Sequence, residues 1–181
     1  MTLFRAVLLG ILQGATEFVP VSSSGHLVLV PWALGWPNPS LAFDAMAHLG
    51  TLAAVLAYFW ADIIALWRGW VRSVRERRLD TTEGRLAWLI LISAIPGALL
   101  GVFLEDWFEA LFASPHAVAL LLLVTGVILY VSDRLARGSR LLGDVSLVDA
   151  LLIGLAQGVA IAPGISRSGA TISTGLLRGL D

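Results

Sequence analysis

Two residue types are missing from this chain. None of its 181 residues is cysteine, which excludes a disulfide frame and a thiol catalyst. None of its 12 basic residues is lysine, which excludes Schiff-base chemistry on the chain itself. All are arginine, whose guanidinium fork suits bidentate contacts to phosphate. Charge of either sign is scarce. Charged residues make up 14% of the chain, against about 25% in globular domains. The net charge of −1 gives no basic surface for a nucleic-acid partner. What remains is apolar: 57% of residues are hydrophobic and the mean hydropathy is +0.85. No charge interrupts residues 45–61, 86–104, 110–132 or 150–166. With their flanks these runs approach the ~20 residues that cross a hydrocarbon core. The composition predicts an all-α integral membrane protein. The N-terminus lacks the charged region and cleavage site of a signal peptide, and Glu17 breaks its apolar run, so it reads as retained.

Within this apolar chain one segment occurs twice. Residues 10–25 read GILQGATEFVPVSSSG and residues 154–169 read GLAQGVAIAPGISRSG. Gly10, Gln13, Gly14, Ser22, Ser24 and Gly25 fall on Gly154, Gln157, Gly158, Ser166, Ser168 and Gly169. Each copy is an apolar run, a Pro or Pro-Gly break, then serines. Pro20 and Pro163-Gly164 disrupt a helix interior, and the serines that follow suit the cap of a restarting helix. A re-entrant helix–turn–helix hairpin is predicted for each, over residues 1–35 and 147–180. Three transmembrane spans are expected between them, at 42–66, 86–104 and 115–133, with a kink at Pro96-Gly97. The whole chain, 1–181, reads as one membrane domain.

Arginine-rich stretches stay cytoplasmic. Residues 68–85 carry Arg68, Arg72, Arg75, Arg77, Arg78 and Arg85, and residues 133–144 carry Arg134, Arg137 and Arg140. Residues 105–109 carry Glu105, Asp106 and Glu109 and no base. The first two segments are placed inside and the acidic one outside. Three spans between the hairpins make them enter from opposite faces, an inverted-topology repeat whose broken helices point to a site where they meet. The seven tryptophans fall mostly where lipid headgroups lie.

The copies differ where chemistry is concerned: Glu17 faces Ile161, Ser23 faces Arg167, and His26 faces Ala170. An ionisable group inside an apolar stretch is costly and usually functional, which singles out Glu17. Gln13 lies one turn before it on the same helix face. Its repetition as Gln157 favours helix packing. Ser22, Ser23, Ser24 and Gly25 form one expected anion site at a helix N-terminus. Gly164, Ser166, Arg167, Ser168 and Gly169 form the second. His26 is an expected acid, base or nucleophile. Arg167 at membrane depth requires an anion, either Glu17 or a bound phosphate. His48 reads as helix packing, His116 as interfacial, Asp44 as a residue of the outer mouth and Asp62 as the end of a span.

QGATEFVPVSSSGH at 13–26 and PGISRSGAT at 163–171 resemble the two signature motifs of the undecaprenyl-pyrophosphate phosphatase family, the integral-membrane enzymes linked to bacitracin resistance. FDAMAHLGTLAAV at 43–55 resembles the segment after the first motif. The resemblance covers essentially the whole chain. It implies hydrolysis of a polyprenyl pyrophosphate to the monophosphate carrier of cell-wall synthesis, in the bacterial inner membrane. It implies a divalent cation, Mg²⁺ or Ca²⁺, with Glu17 in the acidic motif. It also carries the roles of serine, histidine and arginine over to Ser23, His26 and Arg167. The attacking group, Ser23, His26 or an activated water, stays open. A lipid-phosphate transporter would use the same anion site, so transport is the rival reading, and an inactive remnant is a third. Members of that family continue with further spans, whereas here only Ile172–Asp181 follow the second motif. The second hairpin is therefore expected to lack an enclosing span, to be looser than the first, and to be completed by a second copy or another chain.

Overall fold

The computed structural model describes residues 1–136 and 138–181, with the side chain of Leu41 left out. Arg137, one of the expected cytoplasmic arginines, lies outside the described residues. Among these residues the regular structure is helical, apart from one isolated bridge between Arg140 and Leu180. Helices α1 (Leu3–Phe18) and α2 (Ser23–Ala33) form the first hairpin, and α8 (Leu147–Val159) and α9 (Arg167–Leu177) form the second. Between them run α3 (Leu41–Tyr58), α4 (Trp60–Glu76), α5 (Thr82–Phe103), α6 (Glu105–Phe112) and α7 (Pro115–Leu135). A single 3₁₀ turn spans Leu142–Asp144.

Helices α5 and α7 are each long and apolar enough to cross a membrane. Their charge-free cores match the expected spans, and α5 runs on through Pro96. The expected span 42–66 is not one helix. It ends at Tyr58, and the chain turns by 77° into α4, so the pair counts as a third span only when taken together. Past the turn, α4 packs closely on α5. A Cβ on Gly69 would sit 2.6 Å from the amide nitrogen of Gly84, and one on Gly84 would sit 2.9 Å from the carbonyl oxygen of Gly69. Two glycines thus let α4 lie directly on the start of α5. Trp67, Trp70 and Trp88 stack over this joint, with ring centroids 5.2 and 6.0 Å apart. The arginine-rich stretch read as a loop is therefore helical as far as Glu76, and the acidic segment 105–109 is the short helix α6.

The packing reverses the expectation for the second hairpin. Helix α8 lies along α5, and α9 lies along α7. Gly154 and Gly158 allow the first contact: a Cβ on Gly154 would sit 2.2 Å from the carbonyl oxygen of Ser93, and one on Gly158 would sit 3.0 Å from Cα of Gly97. The hydroxyls of Ser132 and Ser173, both buried, share a hydrogen bond of 2.8 Å between α7 and α9. Ala160, Ala162 and Ile165 at the second tip join Phe108 of α6 in a small apolar core. Each arm of this hairpin thus has a preceding helix packed along it, while Leu147, Val148, Leu155 and Val159 of α8 stay exposed. The first hairpin is the more open one. Gly10 and Gly14 have nothing within 4 Å of an added Cβ, and Leu3, Phe4, Val7 and Ile11 of α1 are exposed.

A buried ion cluster closes the far end of the second hairpin. Asp149, fully buried, accepts from Arg140 at 2.5 Å and from Arg178 at 2.7 Å. It also accepts from the amide of Ser146 at 2.9 Å, while the Ser146 hydroxyl caps α8. Arg140 reaches the carbonyls of Asp144 and Arg178, both at 2.7 Å. One carboxylate thus ties the loop before α8 to the end of α9, which is why a charge is tolerated there.

Candidate functional site

The two hairpins meet tip to tip. The first breaks at Val19–Ser22 and restarts at Ser23; the second breaks at Ala160–Ser166 and restarts at Arg167. Ser22 caps α2 by accepting from the amide of Gly25 at 3.3 Å, and Ser166 caps α9 by accepting from the amide of Gly169 at 3.1 Å. Ser24 sits 3.3 Å from the Ser22 hydroxyl, and Ser168 sits 3.2 Å from that of Ser166. The sequence repeat is thus a repeat of geometry. The glycines interlock as well. An added Cβ on Gly25 would lie 3.0 Å from Cα of Gly164, and one on Gly169 would lie 3.3 Å from the carbonyl oxygen of Pro20.

Irregular backbone at membrane depth must find partners inside the protein. Here two side chains supply them. The Ser22 hydroxyl accepts from the amide of Gly164 at 3.2 Å and donates to the carbonyl of Ile165 at 3.4 Å. The Thr125 hydroxyl, buried on α7, donates to the carbonyl of Gly164 at 2.8 Å and accepts from the amide of Ser166 at 3.1 Å. Gly164 takes φ of +98°, a conformation that glycine alone adopts readily.

Beside the joined tips lies a cavity of about 820 Å³. Its polar lining includes Glu17, Ser23 and Ser24 from the first hairpin and Ser166, Arg167 and Ser168 from the second. The first amides of α2 and α9, those of Ser23, Ser24, Arg167 and Ser168, have no intrahelical partner, as at any helix start. Glu17, partly exposed to the cavity, is held through one oxygen. That oxygen accepts a short hydrogen bond from the Ser23 hydroxyl and another from the Gln13 amide at 3.0 Å. His48 lies with Nε2 3.9 Å from it. Arg167 is exposed to the cavity, and among the described residues no carboxylate lies within ion-pair distance of it. Arg167 and Glu17 are therefore not each other's partners. The pair offers one unspent positive charge between two helix N-termini, facing a hydrogen-bonded carboxylate, an arrangement suited to a clustered anion.

A family model described as "Bacitracin resistance protein BacA" matches residues 6–181. The chain belongs to this family. Among curated relatives, it is 46% identical over 181 residues to a protein named undecaprenyl-diphosphatase of Moorella thermoacetica, covering 100% of this chain and 67% of that one. It is 46% identical over 183 residues to the protein of the same name from Desulforudis audaxviator, again covering 100% and 67%. The corresponding protein of Thermomicrobium roseum is 44% identical over 187 residues, with 99% and 67% covered. This BacA-family chain thus spans about two thirds of the length of these relatives.

The structure sorts the expected site residues of this BacA-family member into two groups. Glu17, Ser22, Ser23, Ser24, Ser166, Arg167 and Ser168 line the cavity. Gln13 is fully buried behind Glu17 and steers its carboxylate, so the glutamine does more than pack helices. Gly25, Gly164 and Gly169 do not line the cavity. Their amides are already taken by Ser22 and Ser166, and their missing side chains are what lets the tips approach. His26 is not among the lining residues either, and its Nδ1 lies 2.8 Å from the carbonyl of Ser22 in its own helix. The imidazole that reaches Glu17 is that of His48, which the sequence favoured as packing. Thr125 went unnoticed in sequence. Its one signal is a hydroxyl inside the run LLLLVTGVILY. Asp149 had a clearer one, since Ser146-x-x-Asp149 has the spacing of a capping box.

Among the described residues no three His, Asp or Glu side chains converge as an all-protein metal cage. The donor set does fit a cation shared with a bound phosphate, which keeps waters and uses one or two protein ligands. Glu17 offers a carboxylate to the cavity, and Asp44 on the same wall has a buried Oδ1 without a partner.

Proposed function

We propose that this chain hydrolyses undecaprenyl pyrophosphate to undecaprenyl phosphate in the bacterial inner membrane, recycling the lipid carrier of cell-wall synthesis. The observation that carries the reading is the convergence of two serine-capped helix starts, the unpaired Arg167 and the Ser23–Glu17 hydrogen bond on one cavity. The names of the relatives point to the same substrate. The pyrophosphate sits between the two helix starts, with the Arg167 fork on the terminal phosphate. The polyprenyl tail leaves the cavity along its apolar lining, which includes Leu27, Val28, Phe112 and Ile161.

Phosphoryl transfer is mostly positioning and charge stabilisation. Ser23 donates to Glu17, so its oxygen is placed to attack the terminal phosphorus while its proton passes to the carboxylate. The undecaprenyl phosphate departs with the bridging oxygen. Water then attacks the serine-bound phosphoryl group, and the proton held on Glu17 returns to the Ser23 oxygen. Gln13 keeps the carboxylate aimed throughout. Glu17 would hold a divalent cation, Mg²⁺ or Ca²⁺, which would supply charge neutralisation for the phosphate. The purified chain in detergent, given polyprenyl pyrophosphate and Mg²⁺, should release inorganic phosphate, and Ser23→Ala should slow release by at least ~10²-fold, in the range for losing one key catalytic group. A folded chain that releases no phosphate with Mg²⁺ or Ca²⁺ overturns the proposal.

A further inference from the structure

His48 stands on α3, one turn after Asp44, and lines the cavity. Its Nδ1 lies 2.8 Å from the backbone carbonyl of Asp44. A carbonyl oxygen only accepts, so Nδ1 carries a proton, and it is Nε2 that is left to offer a lone pair to a cation. That lone pair faces the Glu17 carboxylate at 3.9 Å. An imidazole with one N–H spent on a backbone carbonyl and the other nitrogen free has the usual setting of a metal ligand. The separation is compatible. Two donors each about 2.1 Å from one ion lie about 3.0 Å apart when adjacent and about 4.2 Å apart when opposite. His26 makes the same backbone hydrogen bond, yet it does not line the cavity.

We propose that His48 Nε2 and the Glu17 carboxylate together bind the divalent cation of this site, and that His48 sets which cation it prefers. The inference rests on the functional reading above and deepens it. Oxygen donors alone favour Mg²⁺ and Ca²⁺, whereas an imidazole suits transition ions. One nitrogen beside carboxylate and phosphate oxygens favours Mn²⁺ over Ca²⁺. Asp44 adds negative charge from the same wall.

The test is direct binding of Mn²⁺ to the full chain in detergent, followed by electron paramagnetic resonance, with Ca²⁺ as competitor. Wild type should bind Mn²⁺ more tightly than Ca²⁺ and show the modulation of a coordinated ¹⁴N in pulsed spectra. His48→Gln should erase that modulation and weaken Mn²⁺ at least ~10-fold, the lower end for disturbing a metal's ligand shell, while changing Ca²⁺ competition less than about 3-fold. Glu17→Gln should weaken both ions, and His116→Gln should leave the modulation intact. No bound Mn²⁺, no nitrogen modulation in wild type, or equal loss of both ions in His48→Gln overturns the inference. The wild-type spectrum decides even where the glutamine variant does not fold. Phosphate release is read in parallel: release without nitrogen modulation removes the role of His48 and leaves the phosphatase reading, and modulation without release does the reverse.

Discussion

At the scale of single residues, the proposed chemistry divides the side chains into those that would meet the substrate and those that hold the site in shape. Arg167 belongs to the first. Arg167→Lys keeps the charge and loses the fork. Turnover should fall at least ~10²-fold, as for removal of one preorganised charge-stabilising donor; near wild-type phosphate release from a folded lysine variant would remove Arg167 from the role. Thr125 belongs to the second. Thr125→Val keeps the shape and leaves the amide of Ser166 and the carbonyl of Gly164 without their partner. Each unsatisfied buried group costs about 1–3 kcal/mol, so the valine variant should melt earlier in detergent and Thr125→Ser should not. Matching stabilities for the two variants would show that the hydroxyl bonds are dispensable. Legible in sequence among the cavity-lining residues were Ser22 and Ser166, marked by the repeat, and Glu17 and Arg167, charges set in apolar surroundings where the copies differ. His48 was not, because its Nε2 is turned toward a residue 31 positions earlier in sequence. The closeness of His26 to Ser23 in sequence does not bring its side chain to the cavity.

At the scale of elements, the repeat shares three glycine positions, Gly10, Gly14 and Gly25 with Gly154, Gly158 and Gly169, and is unequal in packing. Gly154→Ala drives a methyl group into the backbone of Ser93. Overpacking costs about 1–3 kcal/mol, more than the roughly 1 kcal/mol that alanine gains over glycine in a helix. Gly10→Ala meets nothing and keeps the gain. Thermal melts in detergent should therefore move in opposite directions for the two variants; movement the same way would contradict the contact between α5 and α8. Hydrogen exchange should likewise protect residues 167–177 more than residues 3–18, the reverse of what the sequence suggested. Spans α5 and α7 were readable because charge-free runs report length directly. The corner between α3 and α4 was not, since hydropathy continues smoothly across Phe59 and the glycines that let α4 lie on α5, Gly69 and Gly84, meet only in three dimensions.

At the scale of the whole molecule, the cavity has a side. Glu109 of the acidic helix α6 lines it, whereas the arginines of α4 do not. In intact membranes or oriented vesicles, a cysteine replacing Glu109 should react with an impermeant reagent from the outer face, and one replacing Arg75 from the cytoplasmic face. Labelling of both from one face would refute the arrangement, since the single span α5 separates them. The joined tips carry a mechanical consequence. An alternating-access carrier must part its two halves around the site in every cycle. Here one hydroxyl, Ser22, is shared between the halves, bonded to the amide of Gly164 and the carbonyl of Ile165. Parting them would strip both groups in apolar surroundings once per turnover. Held by that one shared hydroxyl, the two tips form a joint, and any carrier-like motion would first have to break both of its bonds.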